Sequence, residues 1–180
     1  MLPLAWFVLL SQDPATGNYI NRIARKLSPA AAVRFVNDPD VRVTPLPAGR
    51  IDLSTGLFAR LRNEAELAGV VAHELAHRAA GTDCVRFVHP EPHALPRPDD
   101  RENERQADQA AIRALTKAGY DPAAMLEFFS KYRREGENLT TAYSAEDLLI
   151  EKLQLEATDH PLKDAIVNTP DFDRARESMK

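Results

Sequence analysis

The chain has 180 residues, of which 44% are hydrophobic and 28% charged, and this is enough for one domain with a hydrophobic core. Its net charge of -4 comes without a basic block, which excludes the electrostatic surface typical of nucleic-acid-binding proteins. The single cysteine, Cys84, excludes an internal disulfide and a cysteine-rich zinc finger, so a metal site here must use histidines and carboxylates.

The chain starts with an apolar run from Met1 to Leu10. This run is too short to cross a bilayer, and it lacks the basic start and the cleavage site of a signal peptide. We interpret residues 1–12 either as the remnant of an export signal or anchor, or as an arm that packs on the protein. Residues 13–180 are predicted to form a single domain, and no other stretch is apolar enough to span a membrane.

A first helix is predicted from Ala15 to Leu27, with Asp13 as its cap and Pro14 in its first turn. Three β-prone runs follow, at residues 33–36, 41–44 and 50–55. The third run alternates polar and apolar residues, which is typical of a half-buried strand.

A mostly buried helix is predicted from Asn63 to Ala80, with Gly81 as its C-cap. It contains His73-Glu74-Leu75-Ala76-His77, an H-E-x-x-H pattern that places both histidines on one face, one turn apart. Two such imidazoles can bind one zinc ion, and Glu74 can then take a proton from a zinc-bound water. The alternative is a chance match, in which the histidines are ordinary core residues.

The strand predicted at Arg50–Thr55 comes shortly before this helix. In many zinc peptidases the substrate lies extended along an edge strand beside the metal and binds through its backbone. Arg50–Thr55 is therefore our candidate for that edge strand, and it is equally compatible with an ordinary strand of the sheet.

A proline-rich loop is predicted after this helix, followed by further helices and short segments. The loop from Thr82 to Asp100 holds four prolines, which exclude a helix or a central strand there. We interpret its histidines, His89 and His93, as part of a solvated rim of the site, with metal binding as the alternative. Further helices or short segments are predicted at residues 101–119, 122–134, 160–167 and 170–180.

A catalytic zinc usually has three protein ligands and one open position, so a third ligand is needed. Asp83 stands where a metzincin has its third ligand, although the glycine of that pattern would fall at Ala80. Glu104 lies one helical turn from Asp108, so Glu104 can bind the metal while Asp108 orients a ligand histidine. The alternative for Glu104 and Asp108 is a solvated acidic face.

Three motifs occur in order along the chain: His73–His77, Glu104–Asp108 with the pattern E-x-x-x-D, and Gly119-Tyr120-Asp121-Pro122. Together with the strand and turn at residues 46–57, they resemble metallopeptidase family forty-eight, the gluzincins that include HtpX-type heat-shock proteases and CAAX prenyl proteases. The resemblance covers roughly residues 19–132. It implies an α+β, mostly helical zincin fold with a small sheet whose edge strand borders the active-site cleft.

The resemblance also implies that His73, His77 and Glu104 bind one zinc ion per chain, with Glu74 as the general base. Family members often carry a His-Pro pair near the C-terminus, and His160-Pro161 resembles it. His160 is thus a candidate catalytic residue that either steadies the oxyanion or blocks the zinc in a latent form. The arginine that commonly follows the pair in the family is missing from residues 163–166.

The expected function is that of a zinc endopeptidase acting on extended or misfolded proteins. The resemblance is to the envelope-facing bacterial branch, which implies the periplasm or cell envelope as its location. One alternative is a latent or chaperone-like binding module with an occluded zinc site. Another is a structural metal, which would need a fourth protein ligand and would leave Glu74 without a role.

Overall fold

The structure is a computed structural model that describes residues 14–46, 50–82, 99–134 and 163–179. Its elements in chain order are α1 (Pro14–Leu27), β1 (Ala32–Val36), β2 (Val43–Leu46), β3 (Arg50–Ser54), α2 (Thr55–Arg60), α3 (Glu64–Ala80), α4 (Asp100–Ala118), α5 (Pro122–Arg134) and α6 (Pro170–Glu177). The predicted α+β class, mostly helical with a small sheet, is confirmed. None of the helices in these ranges is both long and apolar enough to cross a membrane.

The predicted apolar segment at residues 1–12 lies outside the described residues. The assignment of residues 13–180 to a single domain stays a prediction. The described helices begin and end close to the predicted positions, and α1, α3, α4 and α5 each match within one residue.

The three strands form one sheet in the order β1-β3-β2. β3 pairs in parallel with β1, with Val33 opposite Ile51, and antiparallel with β2, with Val43 opposite Leu53. The strand predicted at Arg50–Thr55 is therefore confirmed as β3, which ends one residue earlier, but its predicted place at a sheet edge is wrong. Side-chain alternation reports which face of a strand is buried, and it does not report how many neighbours the strand has.

Helix α3 is the central element of the core. Its residues are buried almost without interruption from Glu64 to Glu74, and α1, α4 and α5 all pack against it. Asn63 caps its N-terminus by accepting a hydrogen bond of 2.9 Å from the Glu66 N–H. Gly81 ends it in the left-handed conformation, with φ of 68°, which glycine adopts without a steric penalty.

The first residue of α3, Glu64, is a buried carboxylate held by hydroxyl groups from three other parts of the chain. Tyr19 of α1 donates to its Oε2 at 2.9 Å, and Tyr120 donates to its Oε1 at 2.8 Å. Thr169, the N-cap of α6, also donates to Oε2, while Asn168 accepts the Glu64 backbone N–H at 3.2 Å. These bonds join α1, the turn between α4 and α5, and the C-terminal segment to the beginning of α3.

Helices α3 and α5 approach closely at Gly69. A Cβ atom added at this glycine would lie 2.6 Å from the Cβ of Met125. Glycine is therefore needed here for packing, despite its low helix propensity.

We predict that Gly69→Ala lowers the free energy of unfolding by about 1–3 kcal/mol, because the overpacked α3–α5 contact outweighs the better helix propensity. Gly17→Ala is the matched control, since a Cβ at Gly17 in α1 meets nothing within 4 Å. That control should gain roughly 0.5–1 kcal/mol. Urea denaturation of both variants measures this, and equal effects at the two positions would contradict the packing explanation.

The two tyrosines on Glu64 predict a loss of stability in alkali. Burial and the neighbouring Glu64 carboxylate raise the pKa of Tyr19, and burial and the hydrogen bond to Glu64 raise the pKa of Tyr120. Above about pH 10 the unfolded chain loses these phenol protons while the folded protein keeps them. The free energy of unfolding should therefore fall as pH rises above 10, by up to about 1.4 kcal/mol per pH unit for each tyrosine.

Urea denaturation between about pH 9 and pH 11 measures this slope. Tyr19→Phe should be less stable at neutral pH, because Glu64 loses a donor, and its alkaline slope should be smaller by the share of one tyrosine. An unchanged slope would show that Tyr19 does not keep its proton in the folded protein.

Candidate metal centre

Three buried side chains from two helices converge on one point. His73 and His77 lie one turn apart on α3, and Glu104 reaches them from α4. The two Nε2 atoms are 3.1 Å apart, and the Glu104 carboxylate lies 3.1 Å from His73 Nε2 and 3.3 Å from His77 Nε2. All three residues are at most 1% exposed.

These distances fit a tetrahedral zinc ion. Zinc bonds of about 2.0–2.1 Å at tetrahedral angles place neighbouring ligand atoms about 3.3 Å apart. The donor types also fit, because imidazole nitrogen and carboxylate oxygen are common zinc ligands. Within the described ranges, these three residues form the cluster of side chains able to hold a metal ion.

The Nδ1 atom of each imidazole has a hydrogen-bond partner on the side of the ring away from Nε2. His73 Nδ1 lies 2.8 Å from Asp108 Oδ1, and His77 Nδ1 lies 2.9 Å from Thr82 Oγ1. An acceptor at Nδ1 holds a proton there and leaves the Nε2 lone pair directed at the metal position. Phe129 of α5 packs edge-on against the His73 ring, with centroids 5.4 Å apart, and so covers this side of the site with an apolar group.

Glu104 and Asp108 lie on the face of α4 that packs into the core. They lie one turn apart and continue along the same face into Ala111 and Leu115, which are fully buried. The small side chain of Ala107, 4% exposed, also lets α4 lie close to α3. The alternative of a solvated acidic face is wrong for Glu104 and Asp108, whereas Glu102 on the same helix is exposed and paired with Arg105.

The structure brings together His73, His77, Glu104 and Asp108, as the sequence suggested, and Glu74 is fully buried beside them in α3. The other candidates, Asp83, His89, His93 and His160, lie outside the described residues. Sequence reasoning missed Thr82 and Phe129. Thr82 follows the glycine cap of α3, and such a cap turns the chain back onto the last helical turn.

Comparison with known proteins finds a family match for part of the chain. Residues 21–90 match the family description of peptidase family M48. The chain is similar to this family over that stretch. The resemblance to metallopeptidase family forty-eight is thereby confirmed. Its H-E-x-x-H motif lies on α3 and its E-x-x-x-D motif lies on α4.

The chain is also similar to curated proteases from bacteria and a plant. The chain is 26% identical over 163 residues to the beta-barrel assembly-enhancing protease of Escherichia coli K12, and 26% over 163 residues to that of Yersinia pestis. It is 30% identical over 126 residues to the mitochondrial metalloendopeptidase OMA1 of Arabidopsis thaliana. These alignments cover 68%, 68% and 58% of this chain, but only 34%, 34% and 26% of the relatives. The chain thus spans about a third of the relatives it matches.

We predict that Glu104→Ala weakens zinc binding by more than roughly 100-fold, because it removes a direct ligand. Loss of a hydrogen-bond partner behind a ligand costs only about 10–100-fold. Competition with a chromophoric chelator measures the dissociation constant. Glu102→Ala is the control on the same helix, because the Glu102 carboxylate is exposed and paired with Arg105 rather than with the two histidines. Hydrogen bonds from Arg105 and Gln106 lower the pKa of this carboxyl to about 2. If both variants bind zinc as the unmodified protein does, Glu104 is not a ligand.

Proposed function

We propose that this chain is a zinc-dependent endopeptidase that hydrolyses peptide bonds in extended or misfolded proteins. The observation that carries the proposal is the convergence of two imidazoles and one carboxylate at 3.1–3.3 Å in a buried site. The match of residues 21–90 to peptidase family M48 and the metalloendopeptidase name of the Arabidopsis relative support it.

In this proposal His73, His77 and Glu104 bind one zinc ion. When bound, the ion polarises the scissile carbonyl and lowers the pKa of the attacking water. Glu74 accepts the proton of that water and passes it to the leaving amine. Asp108 keeps the His73 imidazole oriented towards the ion.

An extended substrate would pair with a strand edge, and β2 (Val43–Leu46) is the better candidate. β3 is hydrogen-bonded on both sides, so it has no free edge to offer. β1 packs against α1, whereas β2 contacts α3, the helix that carries Glu74. Pairing through the backbone selects accessible, extended chain rather than a particular sequence, which suits unfolded proteins.

We also propose that the protein works in the bacterial periplasm or cell envelope. The support is the name of the Escherichia coli and Yersinia relatives, which are called beta-barrel assembly-enhancing proteases. Unfolded or misassembled envelope proteins would then be its substrates. His160 is kept as a candidate group near the oxyanion, on the family resemblance of His160-Pro161 alone.

The alternative function is a latent or chaperone-like protein-binding module with an occluded zinc site. It shares the same metal ligands and differs only in turnover, so an activity measurement separates the two. A purely structural zinc is disfavoured, because such sites use four protein ligands and only three candidates cluster in the described ranges.

We predict that Glu74→Gln binds one zinc ion per chain but cleaves unfolded casein at least about 100-fold more slowly, because the amide cannot accept a proton. Zinc content of the purified protein and the rate of casein cleavage are measured together. The unmodified protein should lose cleavage with a chelator and regain it with added zinc.

Cleavage by Glu74→Gln at the unmodified rate would rule out its role as general base. Stoichiometric zinc without cleavage in the unmodified protein would favour the latent or binding module. In that case His160→Ala tests whether His160 blocks the metal, since the variant should then gain activity.

A further inference from the structure

The turn that ends α3 brings one more side chain to the metal centre. Gly81 adopts the left-handed conformation, and its N–H contacts the carbonyl groups of His77 and Arg78. The next residue, Thr82, donates its backbone N–H to the His77 carbonyl at 3.0 Å. Its hydroxyl lies 2.9 Å from Nδ1 of the same histidine.

We infer that Thr82 is a positioning residue for the metal centre, whose hydroxyl fixes the ring orientation and tautomer of His77. The inference rests on the proposed zinc site, because it assigns Thr82 a role behind one of its ligands. Thr82 contacts His77 through its backbone N–H and through its hydroxyl, and only the hydroxyl contacts the imidazole ring.

The chemistry of a ligand histidine gives this contact a role. A neutral imidazole has one N–H and one lone pair, so Nδ1 carries the proton when Nε2 binds a metal. His77 is fully buried, and a buried N–H needs an acceptor. The Thr82 hydroxyl oxygen is placed to be that acceptor, as Asp108 is for His73.

The two ligand histidines are therefore supported unequally. Asp108 offers a charged carboxylate to His73, which makes a stronger hydrogen bond and a more basic ligand. Thr82 offers a neutral hydroxyl to His77, which sets its orientation with less effect on its basicity. The site thus gains a second oriented imidazole without burying a further carboxylate.

The cap geometry explains why the role belongs to residue 82. The left-handed Gly81 reverses the chain within one residue, and this returns Thr82 to the last turn of α3. The backbone bond from Thr82 to the His77 carbonyl survives any substitution except proline. A change at this position can therefore remove the hydroxyl and leave the helix end in place.

The test compares Thr82→Ser with Thr82→Ala in the full chain, because these variants differ from each other by one hydroxyl group. The zinc dissociation constant is measured by competition with a chromophoric chelator. Thr82→Ser should bind zinc nearly as tightly as the unmodified protein, and Thr82→Ala should bind about 10–100-fold more weakly. Thr116→Ala on α4, remote from the ligands in sequence, should leave the constant unchanged.

A second readout is the ring proton of His77 in the zinc-loaded protein. In the unmodified protein and in Thr82→Ser, the Nδ1 proton should give a slowly exchanging signal in proton NMR. In Thr82→Ala this signal should broaden or disappear, because the proton has lost its acceptor. A role of Thr82 limited to the helix end would leave this signal unchanged.

Equal zinc affinity and equal ring-proton signals in Thr82→Ser and Thr82→Ala would overturn the inference. If the unmodified protein binds zinc, that result leaves the proposed zinc site intact and removes only the role of Thr82. If the unmodified protein binds no zinc, the proposed function itself fails, and the role of Thr82 fails with it.

Discussion

The packing of α3 against α4 is the constraint on which the rest of the structure depends. It buries two imidazoles and the carboxylates of Glu104 and Asp108 together, and buried charges are costly unless they are paired or bind a metal. The hydrogen bond from His73 to Asp108 and the close approach of Glu104 to the His73 imidazole offset part of this unfavourable free energy. A divalent cation at the same point would balance the two carboxylates, which is why this arrangement suits a metal centre.

The other contacts hold α3 in place along its whole length. Glu64 joins its first turn to α1, the α4–α5 turn and the C-terminal segment, and Gly69 lets α5 pack directly on its middle. Gly81 and Thr82 hold its last turn and the ring of His77. Ligand geometry that is set before a metal arrives does not have to be reorganised on binding, so at the proposed zinc site these supports would favour metal binding as well as folding.

The elements and their ends could be predicted well, because local chemistry sets them. Helix α3 is capped by Asn63 at its start and by Gly81 at its end. Gly119 ends α4, and Pro122 begins α5. The place of β3 within the sheet could not be predicted, because strand order depends on which distant segments pair with it. β2 was placed two residues too early, since its β-prone residues do not reveal the register that pairs Val43 with Leu53.

The sequence alone was enough to propose the chemistry of the site, because helical spacing places His73 beside His77 and Glu104 above Asp108. Spacing left Asp83 and Glu104 open as the third ligand, and the family resemblance then implied Glu104. Neither revealed that Thr82 and Phe129 lie at the site. Only the tertiary structure brought Glu104 within 3.3 Å of His77 and Thr82 to its ring. Spacing along a helix fixes which side chains share a face, whereas contacts between separate segments depend on how the whole chain packs.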